Sequence, residues 1–184
     1  ILGKLRVNDE KRVARNLGWS VALNTAQSTE AGKASGGCSV CVRKGIGIET
    51  ESSTEVDEKV SHRIKHAWIN GIVRGGVHVF SVYAKDIIGP TGDNLEVMEE
   101  IQAVIKSIDG PWIIAADWNM SPRKLATTGW LSMIEGHLIS TELPTCNNKA
   151  YDYFIVSRSL RHAVEGIQRI KDAGLLPHYP VRLL

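Results

Sequence analysis

The stretch that most constrains this chain is residues 110–122, where an apolar run stops on an acid and then, two positions on, an amide. Residues 113–116 follow Gly110-Pro111-Trp112 and are apolar throughout, the pattern of a short strand buried on both faces. Asp117 stands at the end of that run and Asn119 just beyond it. A carboxylate and a carboxamide at the mouth of a buried strand put an acceptor and a donor on one rigid support, suited to a water or a phosphate oxygen. The same residues also fit a plain turn ahead of Ser121-Pro122, so the stretch alone leaves both readings open.

The flanking patterns supply a fold class. Residues 94–108 read as a helix, with Met98, Ile101, Val104, Ile105 and Ile108 on one stripe, acids early and Lys106 late. Residues 66–73 and 77–83 are β-rich runs around Arg74-Gly75-Gly76, a hairpin signal. Residues 38–42 and 47–49 read as a second hairpin around Arg43-Lys44-Gly45. Residues 7–17 read as an amphipathic helix capped by Asn8 and ended by Gly18, and 19–23 as a weak strand. Residues 24–37 form a polar surface loop and 49–58 a solvated acidic link. After Pro122 come a short helix and turn (125–134), a polar loop (145–150), a strand (151–157) and two last strands (164–170 and 180–184). Strand, covering helix and buried strand in that order point to an α/β domain.

At 184 residues, 43% hydrophobic and 23% charged, the chain has the make-up of one globular domain with a substantial core. A net charge of +2 does not announce a nucleic-acid binder, although Arg43, Lys44, Arg74, Lys85 and Arg123 could make a local basic face. Three cysteines, Cys38, Cys41 and Cys146, cannot complete a disulfide framework, and Cys38-x-x-Cys41 lacks a second pair for zinc. On a strand, positions 38 and 41 face opposite sides, so reduced thiols and a reducing compartment are expected. No apolar run approaches membrane-spanning length, and no membrane insertion is expected.

Taken in order, residues 77–83, Ala116-Asp117-Trp118-Asn119, Asp152-Tyr153-Phe154 and Leu176-Pro177-His178-Tyr179-Pro180-Val181 resemble the later motifs of the endonuclease/exonuclease/phosphatase superfamily. This is the fold of exonuclease III-like and DNase I-like enzymes. In that family a strand ends on a tyrosine, another ends in Gly-Asp-x-Asn, an Asp-Tyr-Phe strand follows, and Ser-Asp-His-x-Pro-Val closes the domain. The resemblance implies a four-layer α/β/β/α sandwich with two mostly antiparallel mixed sheets. It also implies roles: Asp117 orienting or deprotonating a water, Asn119 holding a phosphate oxygen, His178 stabilising the phosphate with Asp152 steering its ring, and Tyr83 contacting the phosphate.

The departures from the family pattern carry their own expectations. The family's aspartate before the terminal histidine is Pro177 here, whose side chain cannot ligate a metal. No equivalent of the family's upstream Asn and Gln-Glu pair appears, and neither Glu10 nor Glu30 sits in such a motif. The single domain over 1–184 is thus expected to lack the family's first strand and its Gln-Glu motif, and its metal ligands are left unassigned. The resemblance therefore implies a magnesium- or manganese-dependent phosphodiesterase, nuclease-like, with weakened or lost activity. The alternative is a non-catalytic structural or interaction subunit with protein partners, and a third reading is a nucleic-acid-binding module that does not cleave.

Overall fold

The computed structural model describes residues 2–28, 32, 34–49 and 57–184. Along the chain come α1 (Leu2–Asn16), β1 (Trp19–Asn24), β2 (Gln27–Ser28), β3 (Ala34–Ser35), β4 (Cys38–Arg43), β5 (Gly47–Glu49), β6 (Ile64–Asn70) and β7 (Val77–Tyr83). Then follow α2 (Asp93–Ser107), β8 (Trp112–Asp117), α3 (Pro122–Ala126), α4 (Trp130–Met133), β9 (Gly136–Ile139), β10 (Asp152–Ser157), β11 (Ile167–Arg169) and β12 (Val181–Leu183).

One mixed sheet organises the molecule, in the order β5-β6-β7-β8-β10-β9. Its centre is the parallel pair β7–β8, joined by the crossover helix α2; the neighbours on either side are antiparallel. Both faces are covered. Alternation along the strands sends Phe80, Val82, Trp112, Ile114, Tyr153 and Ile155 into one core, shared with Val97, Met98 and Ile101 of α2. The opposite set, Val77, Val79, Ile113 and Val156, packs with Ala22, Val40 and Val42 of the two-stranded β1–β4 ladder and with Leu183 of the β11–β12 ladder. Helix α1 lies against β1. No helix among the described residues is long and apolar enough to cross a membrane.

The helix expected over 94–108, the buried strand at 112–117 and the β6–β7 hairpin are all present. At that hairpin Gly76 holds φ +82°, and a Cβ there would meet the Trp68 ring at 2.5 Å, so the turn needs glycine twice over. Other expectations change. The expected 38–49 hairpin does not form: β4 pairs with β1 and β5 with β6. Burial explains this, because Cys38, Val40 and Val42 face the core together with β1, and the Lys44 N–H continues that ladder to the Gly18 carbonyl. Helix α1 begins at Leu2, so Asn8 lies within it rather than capping it, while Gly18 at φ +80° follows its end as expected. The loop over 24–37 carries the short β2–β3 ladder, and β9 arises where no strand is expected. Most of the acidic link, residues 50–56, lies outside the described residues. Cys38 is buried, Cys41 exposed and Cys146 buried, and none is bonded to another.

Candidate active site

Three of the residues singled out by sequence fall in one row. Register places Tyr83 of β7 opposite Asp117 of β8, and Asp117 opposite Asp152 of β10. Counting by twos from Val79, Ile113 and Val156 puts all three on the same face of the sheet, at the carboxyl ends of the parallel pair. Trp118 anchors the stretch. Its ring is buried, stacks on Tyr153 and meets Trp130 edge-on, and its indole N–H reaches the Tyr153 carbonyl at 3.3 Å. With Trp118 turned inward, Asp117 and Asn119 on either side of it both line the cleft. Asn119 takes a left-handed conformation, φ +47°, which asparagine tolerates better than most residues.

His178 arrives from the chain's end. Its segment is pinned to the 145–146 loop: residues 146 and 178 form a β-bridge, and the Tyr179 N–H donates to the Thr145 carbonyl at 2.6 Å. His178 Nδ1 then lies 3.1 and 3.2 Å from the two Asp152 carboxylate oxygens, and Nε2 lies 3.9 Å from Asp117 Oδ2. A carboxylate only accepts, so Asp152 fixes the proton on Nδ1 and turns Nε2 toward Asp117. The His178 side chain is 36% exposed, against 17% for Asp117 and 18% for Asp152. The imidazole is therefore the wet side of the group.

The Asp117 carboxyl is pushed up to about 6, first by burial and then by the charge of Asp152, with His178 and the Asn119 backbone N–H pulling it back. Asn119 takes part directly: its backbone N–H donates to Asp117 Oδ1 at 3.2 Å and its amide to Asp117 Oδ2 at 3.3 Å. The same amide donates to the Ala84 carbonyl at 2.9 Å. Asn119 is expected to donate to a phosphate oxygen; here its amide hydrogens face Asp117 and Ala84, so it first holds the carboxylate. Tyr83 lines the cleft, with the buried Arg63 guanidinium 5.7 Å above its ring.

Asp117, Asp152 and His178 offer ligand atoms all within 4.8 Å of one another, a donor set able to hold a cation. The cleft lined by Asp117 and His178 measures about 500 Å³. A second concavity of about 800 Å³ shares Asp86, Asn119, Lys149 and Tyr151 with it and runs on past Lys124, so the two make one groove. The basic residues at its walls are Lys149 and Lys124. Arg43, Lys44, Arg74, Lys85 and Arg123 do not line it: Arg43 stacks on Trp19, Arg74 sits at the opposite end of β7 from Tyr83, and Lys85 pairs with Asp93.

Sequence reasoning missed Thr145. This fully buried residue accepts through Oγ1 from the backbone N–H groups of Tyr151 and Asp152, both at 2.9 Å, while its carbonyl takes the Tyr179 N–H. One residue, through its hydroxyl and its own carbonyl, thus ties the start of β10 to the segment that carries His178. A hydroxyl residue six positions before a predicted strand, in a polar loop, was the only signal available.

No known family's sequence profile matches the chain, and no curated protein matches it. Solved structures do. The endonuclease domain of TRAS1, a telomere-specific non-LTR retrotransposon, superposes with a TM-score of 0.67 at 13% identity, over 98% of this chain and 90% of that one. The 3'-5' exonuclease NExo from Neisseria meningitidis gives 0.62 at 12%, over 95% and 82%. The AP endonuclease LMAP from Leishmania major gives 0.64 at 10%, over 90% and 70%. With its late motifs gathered at one end of the central sheet, the chain has the fold of the endonuclease/exonuclease/phosphatase superfamily.

Proposed function

We propose that the chain is a divergent, metal-dependent phosphodiester hydrolase of nuclease type, with the β1–β4 and β11–β12 ladders acting as the second sheet of a four-layer sandwich. The observation that carries this reading is the row Tyr83–Asp117–Asp152 with His178 held over it by Asp152. Asp117 takes a proton from the attacking water. With its carboxyl pushed up to about 6 it is mostly ionised at neutral pH yet more basic than an ordinary aspartate, which suits a general base. His178, its ring fixed by the Nδ1–H bond to Asp152, presents Nε2 to a phosphoryl oxygen and stabilises the charge that develops there. Tyr83 meets the phosphate from the β7 side, and Asn119 keeps the Asp117 carboxylate aimed.

The donor chemistry fits a divalent cation. The carboxylates of Asp117 and Asp152 would hold it, with His178 left to face the phosphoryl oxygen; carboxylate oxygens suit magnesium or manganese with retained waters. Burial first and the Asp152 charge second disfavour the ionised Asp117, and a cation held there would offset both. When bound, the ion supplies neutralisation of phosphate and leaving-group charge. Asp152 is then shared between His178 and the ion, and position 177 adds no carboxylate, so activity is weak beside that of a full metal site.

Pro177 also favours a second reading, a non-catalytic interaction subunit that keeps the fold. Incubation of the full chain with bis(4-nitrophenyl) phosphate and with a DNA or RNA oligonucleotide, in manganese or magnesium and in a chelator, separates the two. The hydrolase reading expects turnover that the chelator removes and that Asp117→Ala lacks. Absence of turnover in both metals overturns it in favour of the interaction subunit.

A further inference from the structure

The connection from β7 to α2 holds an apolar side chain outward on a strained backbone. Ile87 sits at φ +75°, a conformation that β-branched residues almost never take, and the Ile88 N–H closes a tight turn to the Asp86 carbonyl at 2.9 Å. Ile87 is 90% exposed, the highest value among the large apolar residues described. The loop is also braced. Buried Asn94 accepts from the Lys85 N–H at 2.6 Å and donates to the carbonyls of Lys85 and Gly89, and Ile87 N–H donates to the Asp86 carboxylate at 2.8 Å. Strain, exposed apolar surface and a rigid mount together mark a side chain presented outward.

What it is presented to follows from where it stands. Ile87 lines the groove that continues from the phosphoryl cleft, and Asp86 next to it borders both parts. Along the same groove lie Lys149, whose ammonium is 5.4 Å from the Tyr151 ring, and Lys124. A cation, an aromatic face and an apolar wedge spaced along one concave track match a polymer in which phosphates alternate with flat apolar faces. A lipid surface would ask for a convex apolar patch instead. We propose that Ile87 is a fixed wedge that presses against, or between, the bases of a nucleic-acid strand held in this groove. The inference rests on the phosphodiesterase reading of the adjoining cleft, and it assigns Ile87 a part in selecting sites where bases unstack easily.

The test uses the full chain, metal withheld, and a duplex oligonucleotide carrying 2-aminopurine at a central position, whose fluorescence rises on unstacking. Glycine and asparagine both accept positive φ, so Ile87→Gly and Ile87→Asn keep the loop; thermal melting checks this. Ile72 is a built-in control, since it has φ +70° and is 74% exposed but lies in the hairpin at the other end of β7. Wild type and Ile72→Gly are expected to bind and raise the fluorescence. Both Ile87 variants are expected to bind about tenfold more weakly, to lose the rise, and to hydrolyse bis(4-nitrophenyl) phosphate at the wild-type rate. Equal affinity and equal signal in wild type and the Ile87 variants overturn the proposal. So does Ile87-dependent binding to phosphatidylserine vesicles with none to the oligonucleotide, which transfers the wedge to a lipid surface. An Ile87-dependent signal without Asp117-dependent hydrolysis sinks the phosphodiesterase reading and leaves the wedge standing.

Discussion

The central sheet carries histidine-based polar groups at both ends of β7, and they are built in opposite ways. At its start His66 Nε2 and His78 Nδ1 lie 3.0 Å apart, and His78 Nε2 meets the Asp109 carbonyl at 3.1 Å. Both rings are buried, and His66 stacks on Phe80. There the donors and acceptors of His78 answer one another within the fold, the arrangement of a structural polar pair. At the far end, Asp152 spends its carboxylate on one His178 nitrogen and leaves the other facing Asp117 across 3.9 Å. Asp117 is left with raised basicity and a cleft above it. The contrast teaches that a hydrogen-bonded histidine is a candidate for chemistry when bonding capacity is left over toward open space, and a packing element when its bonds close within the fold.

The comparison can be broken by exchanging what each end should lose. His178→Ala should lower kcat for phosphodiester hydrolysis by about 10²–10⁴ with little change in melting temperature, the usual scale for a positioned acid or base. His78→Leu should do the reverse, costing roughly 1–3 kcal/mol of stability by leaving His66 without that partner while the folded fraction keeps its turnover. Chemical denaturation and initial rates on the same preparations read both. Thr145→Val removes the acceptor of the Tyr151 and Asp152 N–H groups and should slow hydrolysis by roughly tenfold through the displaced Asp152, while Thr145→Ser restores it. The smallest effect is in pH. Since the Asp117 carboxyl is pushed up to about 6, kcat/KM should climb as pH rises through that value and flatten above it.

Legibility in the sequence followed the range of the interactions. The buried strand ending at Asp117, the α2 stripe and the Gly-rich β6–β7 turn are local patterns, and local patterns were readable. The pairing of β4 with β1 was not, because hairpin signals report neighbours in sequence and the shared core that decides the pairing lies elsewhere in the chain. Strand β9 escaped because Gly136-His137-Leu138-Ile139 is short and lacks alternation; β10 recruits it as an edge. At the site, Asp117 stood out by its own setting, but the parts given to His178, Asp152 and Tyr83 came only through resemblance, since a lone histidine near the chain's end carries no address. Thr145, Lys149 and Ile87 were unreadable for a further reason. A buried hydroxyl's bonds to distant backbone, a groove wall and a positive φ exist only in three dimensions.

The most direct measurement is Asp117→Asn read two ways at once, by hydrolysis rate in manganese and by melting temperature at pH 8. Burial and Asp152 raise the Asp117 carboxyl from 3.8 to about 6, so its charge weighs against the fold above about 6, and that penalty fades as pH falls toward 3.8. The neutral amide should therefore melt higher than wild type at pH 8, with the gap closing in acid, while hydrolysis falls by about a hundredfold or more. A variant that hydrolyses at the wild-type rate, or that melts lower at pH 8, would contradict the assignment of Asp117 as a destabilised, working carboxylate.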